Sequence, residues 1–128
     1  MDKKKLGSLG ERAAEKFLKQ KGYLILDRNY SFRIPGSPQK GEIDIVAKNE
    51  GVITFIEVKT LTSEYHTFLP EDKVDFKKQR KIIKAAESWL IKKRIPPETP
   101  WQVDVVSVRV ANNLKKAKIQ HFRNVISG

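Results

Sequence analysis

No cysteine occurs in the chain, which excludes a disulfide framework and any thiolate metal site and makes the cytoplasm the expected location. Long apolar runs are missing too. Nothing approaches the roughly 20 consecutive apolar residues that span a bilayer, and the opening MDKKK lacks the apolar segment of a signal peptide, so no membrane association is expected. Internal repeats and low-complexity tracts are likewise absent. Acidic residues are in short supply: 15 Asp and Glu face 26 Lys and Arg, leaving a formal charge of +11. Clustered positive charge attracts polyanions through counterion release, so nucleic acid is the leading partner. The deficit is uneven, with 12 basic against 9 acidic residues over 1–64 and 14 against 6 over 65–128. A basic binding face would therefore draw mainly on the second half.

What is present suits one folded domain over residues 1–128, with 39% of the chain apolar. Residues 6–22 read as an amphipathic helix: Leu6, Gly10, Ala13, Ala14 and Phe17 share an arc, Ser8 is a candidate cap, and Gly22 suits the position past its end. A strand is expected over Tyr23–Tyr30, then a loop over Phe32–Gly41 with two prolines and two glycines, whose Arg33 and Lys40 are candidate anion contacts. Strands at Glu42–Ala47 and Val52–Thr60 around the turn Lys48–Gly51 form a β-hairpin. After a connection over Leu61–Asp72, a long helix capped by Asp72 or Asp75 runs to about Arg94, because Pro96 and Pro97 forbid its continuation. Strands over Trp101–Val110 and Ala117–Ile126, joined by a turn at Ala111–Lys116, complete the chain. A long helix between strands covers a sheet face, so the fold class is α/β, in two or three layers around a mixed sheet.

The hairpin carries the chemistry. Side chains alternate along a strand, so Ile53, Phe55, Glu57 and Lys59 share one face while Val52, Thr54, Ile56 and Val58 share the other. The same rule puts Glu42 and Asp44 together, and the hairpin sets Asp44 near Glu57. Carboxylates are the natural ligands of Mg²⁺, which takes one or two of them plus phosphate oxygens. Asp44 and Glu57 are thus candidate ligands for Mg²⁺ or Mn²⁺, and Lys59 is placed to orient the attacking water or neutralise developing charge in phosphodiester cleavage. A bound ion also offsets the desolvation cost of charges in a strand otherwise apolar. Taken without Asp44, Glu57 and Lys59 read first as an ion pair on a half-exposed face.

GEIDIVA followed by FIEVKT, with thirteen positions from Asp44 to Glu57, resembles the D…E-x-K pattern of the PD-(D/E)-x-K nuclease superfamily. The whole chain, from LGERAAEKFLKQKGYLILDRNY to KKQRKIIKAAESWL and VDVVSV, is similar to the uncharacterised YraN-like bacterial family, a relative of archaeal Holliday-junction resolvases. The resemblance implies a restriction-endonuclease-like fold, a mixed central sheet flanked by helices. It implies a Mg²⁺-dependent nuclease acting on DNA, branched or damaged DNA included, and by analogy a homodimer. It makes Asp44 and Glu57 metal ligands, the Val58 carbonyl a further ligand, and Lys59 the catalytic lysine. Ile43 stands where the superfamily name has proline, and Leu61 where arginine tends to follow.

Glu42 is either a water-mediated ligand or a strand-edge acceptor. Glu11 is either the additional acid that resolvase-like enzymes draw from this helix or a solvated helix residue. In the second helix Phe76, Ile82, Ile83, Ala86, Trp89 and Leu90 form the inward arc, and Gln79 falls within it. Related nucleases use a helix glutamine or lysine near the site, so Gln79 and Lys78 are candidates, against a reading in which the core simply has not closed over Gln79. Lys77, Arg80, Lys81 and Lys84 face outward, either as phosphate contacts or as solubilising charge. Asp104 is either partner to a lysine or a strand-start residue near solvent. His66, His121 and Trp89 read as structural, and Trp101 either packs or stacks on a base. The competing functional reading is a non-catalytic nucleic-acid-binding module.

Overall fold

The computed structural model describes residues 2–62, 76–110 and 117–126. The Asp72 and Asp75 caps, most of the Leu61–Asp72 connection, His66, the Phe76 side chain and the Ala111–Lys116 turn lie outside the described residues.

The first helix, α1 (Lys3–Gln20), begins at Asp2 rather than Ser8: the Asp2 carboxylate accepts from Lys5 N at 2.8 Å. Three lysines are good helix formers, so the helix extends back to the first residue that can cap it. At its end Gly22 has φ 95°, Gly22 N donates to Lys19 O and Tyr23 N to Leu18 O, both 3.0 Å. This paired bonding closes the last turn and sets Tyr23 against Leu18 in the core.

Strand β1 (Leu24–Arg33) runs further than expected because Ser31, Phe32 and Arg33 pair with Glu42, Gly41 and Lys40 of β2 (Lys40–Asn49). The loop shrinks to 34–39, closed by Ile34 N donating to Gln39 O at 3.1 Å. Strand β2 meets β3 (Val52–Leu61) through Glu50 and Gly51, with φ 51° and 81°, the two positive angles of a turn whose twist matches the strands. Helix α2 (Phe76–Lys92) lies in the crossover to β4 (Trp101–Val110), which pairs parallel to β3, and β5 (Ala117–Phe122) returns antiparallel. The last strand stops at Phe122, not Ile126. Beyond it Val125 N donates to Val103 O at 2.8 Å, and Val125 and Ile126 pack on the core.

The sheet has the order β1-β2-β3-β4-β5, and only the β3–β4 pairing is parallel. Two helices on opposite faces make it the mixed α/β architecture expected of a restriction-endonuclease-like fold. Helix α2 covers a cluster of Val46, Phe55, Ile82, Trp89 and Val105, with Phe55 edge-on to Trp89 and to Trp101 at 5.7 and 5.5 Å. Trp101 therefore packs. Helix α1 covers Leu18, Ile45, Ile56, Val106 and Val108 on the other face. Ile53 and Phe55 fall in the first cluster, Ile56 and Val58 in the second, as alternation requires.

Candidate active site

Pairing between β2 and β3 runs from Asn49↔Val52 to Ile45↔Ile56 and then stops. Past that point β3 stays with β4 as far as Leu61↔Arg109, and β2 stays with β1 as far as Lys40↔Arg33. The sheet thus forks, and Asp44 and Glu57 stand at the apex. There the Asp44 carboxylate replaces a ladder partner, its Oδ2 accepting from Val58 N at 2.7 Å. The fork has a local cause on β2. Ile43 packs in the α2-side cluster and Ile45 in the α1-side cluster, although residues two apart share a face in a regular strand. The chain turns over at Asp44, opposite Asn29, which adopts φ 51°. Asp44 is consequently wall to a hollow on each face.

The α2-side cleft has a volume of about 510 Å³. Glu42, Asp44 and Glu57 face Lys40, Lys77, Lys78 and Lys81 across it. Glycine at position 41 permits this closeness, since a Cβ there would overlap the Lys81 carbonyl oxygen and sit 3.1 Å from Ala85 Cβ. Glu57 Oε1 receives Lys78 Nζ and, at 3.3 Å, Lys59 Nζ. Its other oxygen, Oε2, is buried and has no hydrogen-bond partner among the described residues. Burial pushes the Asp44 carboxyl up to about 6; the Val58 bond opposes this, and the charges of Glu11 and Glu57 add to it. Burial, with Lys78 alongside, lowers the Lys59 ammonium below the usual lysine range. Lys78 is held above it: burial works against the charge, but the bonds to Glu57 and Lys59 and the charges of Glu57 and Asp44 together outweigh it. The two ammoniums share one carboxylate oxygen, and Lys59 is the readier to give up its proton.

Glu42 is exposed and pairs with Lys40 at 3.0 Å. Glu11 lies half-buried on the other face, where burial raises its carboxyl, in a hollow of about 370 Å³ with Lys4, Arg12 and Arg28. Lys77, Arg80, Lys81 and Lys84 gather along a further hollow of about 250 Å³ with Gln39 and Ser37, a continuous basic ridge beside the cleft. Arg33 is exposed at the end of β1, and neither Arg33 nor the half-buried Gln79 lines the cleft.

Asp104 is fully buried, and its partner is not a lysine. Its oxygens receive Gln102 Nε2 at 2.9 Å and Asn124 N at 2.8 Å, and Oδ2 lies 2.7 Å from His121 Nε2. The expectation of a lysine failed because the β4–β5 register, Val106↔His121, was needed to see which side chain reaches it.

Among the described residues no group of three or more His, Asp and Glu is placed to hold a metal ion. The donors that fit one are fewer. Glu57 Oε2 is an orphaned buried acceptor, Asp44 has only one oxygen committed to Val58 N, and a strand residue directs its N–H and C=O to the same side, which turns the Val58 carbonyl into the fork. Two carboxylates and a carbonyl match what Mg²⁺ takes from protein when phosphate and water complete its shell.

Residues 10–108 match the profile of the uncharacterised protein family UPF0102. A UPF0102 protein of Caldanaerobacter subterraneus subsp. tengcongensis is 37% identical over 125 residues, covering 97% of this chain and 96% of the relative. One from Alkaliphilus oremlandii is 41% identical over 124 residues (94% and 97% of the two chains), and one from Clostridium botulinum 41% over 105 (82% and 80%).

Proposed function

The chain belongs to the uncharacterised protein family UPF0102, and from that footing we propose that it is a Mg²⁺- or Mn²⁺-dependent nuclease of the PD-(D/E)-x-K superfamily, cleaving phosphodiester bonds in DNA. The observation that carries this reading is the buried, unpartnered Glu57 Oε2 beside Asp44, with Lys59 on the same carboxylate. An acceptor desolvated and left unmade is costly, and a cation in the fork removes that cost. Asp44, Glu57 and the Val58 carbonyl would hold the ion, which would supply Lewis acidity and acidify a bound water. Lys59, fixed by Glu57, would orient that water and, as the free amine, take up its proton, to be released to solvent after the cut. Lys78 balances charge at the phosphate, and Lys77 and Lys81 grip the strand. Branched or damaged DNA as the preferred substrate, and action as a homodimer, follow from the likeness to resolvases. Cleavage of duplex, forked and four-way DNA with Mg²⁺ or Mn²⁺, comparing wild type with Asp44→Ala and Lys59→Ala, tests the assignment. Activity that survives both substitutions rejects it.

One observation favours the second reading, a nucleic-acid-binding module without turnover: Glu57 Oε1 is already neutralised by two lysines. Calorimetric titration with Mn²⁺ separates the two, since the module takes up no divalent ion with or without DNA.

A further inference from the structure

Beyond the cleft, the sheet face that carries Lys59 continues across β4 and β5. Lys59 is in register with Ser107 and Ser107 with Gln120; in the next row Leu61 aligns with Arg109 and Arg109 with Lys118. Aligned residues share a face, so Ser107, Arg109, Lys118 and Gln120 project on the same side as the lysine. They enclose a hollow of about 100 Å³, centred about 8 Å from the Lys59 backbone given strands roughly 4.8 Å apart. The lining has two cations, a hydroxyl and a carboxamide, and no carboxylate. Among the described residues Arg109 Nε is buried there with no hydrogen-bond partner. A buried N–H donor left unmade is destabilising unless a ligand accepts from it.

We propose that this hollow is a phosphate-binding subsite, holding a phosphodiester of the same strand adjacent to the one at Lys59. Its volume of about 100 Å³ leaves room for a phosphate group. Its charge decides the sign, and its row decides the strand. With the α2 ridge gripping one side of the cut and Arg109 and Lys118 the other, the scissile phosphate is fixed from both directions. The proposal rests on the nuclease reading for the strand's identity; the anion site itself does not.

The experiment follows the arginine Nε–Hε signals by NMR, without divalent ion, during titration with a single-stranded oligodeoxynucleotide and, separately, inorganic phosphate. The Arg109 signal is expected to shift saturably with the oligonucleotide. Lys118→Gln, an exposed change with little risk to folding, is expected to weaken oligonucleotide binding three- to tenfold and lower the slope of log K against log salt by about 0.7. An Arg109 signal that ignores both the oligonucleotide and inorganic phosphate, or a Lys118→Gln variant with wild-type affinity and slope, overturns the subsite, and a response to inorganic phosphate alone overturns its assignment to the strand. A silent Arg109 with intact Asp44-dependent cleavage sinks only the subsite. A responsive Arg109 with Asp44-independent cleavage sinks only the nuclease mechanism.

Discussion

Replacing Asp44 with asparagine is expected to stabilise the metal-free protein while removing divalent-ion binding. Burial raises this carboxyl from 3.8 to about 6, so the folded state binds its proton more tightly than the unfolded chain does. The stability linked to that proton is fully present below 3.8 and is lost as pH rises through about 6. At 1.36 kcal/mol per pH unit the span is worth about 3 kcal/mol at pH 8. Asparagine keeps an oxygen for Val58 N and sheds the buried charge, but its amide needs a partner, so a net gain of about 1–3 kcal/mol is expected at pH 8. For a chain of this size that is a rise in Tm of roughly 4 °C per kcal/mol. Thermal melts in EDTA at pH 5, 6.5 and 8 read it directly: the variant is ahead at pH 8, and by pH 5 about half of the charge-linked gap has closed, the rest closing only below 3.8. Adding Mg²⁺ lifts the wild type alone, by RT ln(1 + [L]/Kd). An asparagine variant less stable than wild type at pH 8 without metal, or a gap that does not narrow on acidification, refutes the reasoning.

Lys59→Met is expected to lower the cleavage rate by at least about 100-fold, the usual worth of a positioned proton-transfer group, with DNA affinity changed less than about threefold; fluorescence anisotropy alongside single-turnover rates checks both halves. Gly41→Ala forces a Cβ into the Lys81 carbonyl and is expected to cost about 1–3 kcal/mol, and a Tm within 1 °C of wild type would show that α2 shifts freely. Asp104→Ala strips His121, Gln102 and Asn124 N of their shared buried acceptor and is expected to destabilise by about 3 kcal/mol in urea melts while leaving the salt dependence of DNA binding intact.

Much of this was legible from residue order. Alternation sorted Phe55 from Ile56, the arc of Ile82, Ala86 and Trp89 found the core face of α2, and the hairpin spacing brought Asp44 towards Glu57. What escaped was non-local or conformational. Phe32 and Arg33 read as loop because the neighbouring prolines and glycines mask a ladder that only their partners Gly41 and Lys40 complete. Nothing in the residue types around Asn29 announces its positive φ, so the reversal of facing at Asp44 was invisible, although Ile43 and Ile45 serving different clusters is its trace. Nothing in the residue order singles out Arg109 and Lys118; only the β3–β4–β5 register sets them in the row next to that of Lys59.

The turnover of β2 at Asp44 has an electrical consequence. Because one carboxyl is shared by the hollows on both faces, and already feels Glu11 across the sheet, the back of the molecule is wired to the front. Removing the charge of Glu11 would ease the Asp44 carboxyl back towards its ordinary value from behind, with no atom inside the cleft altered.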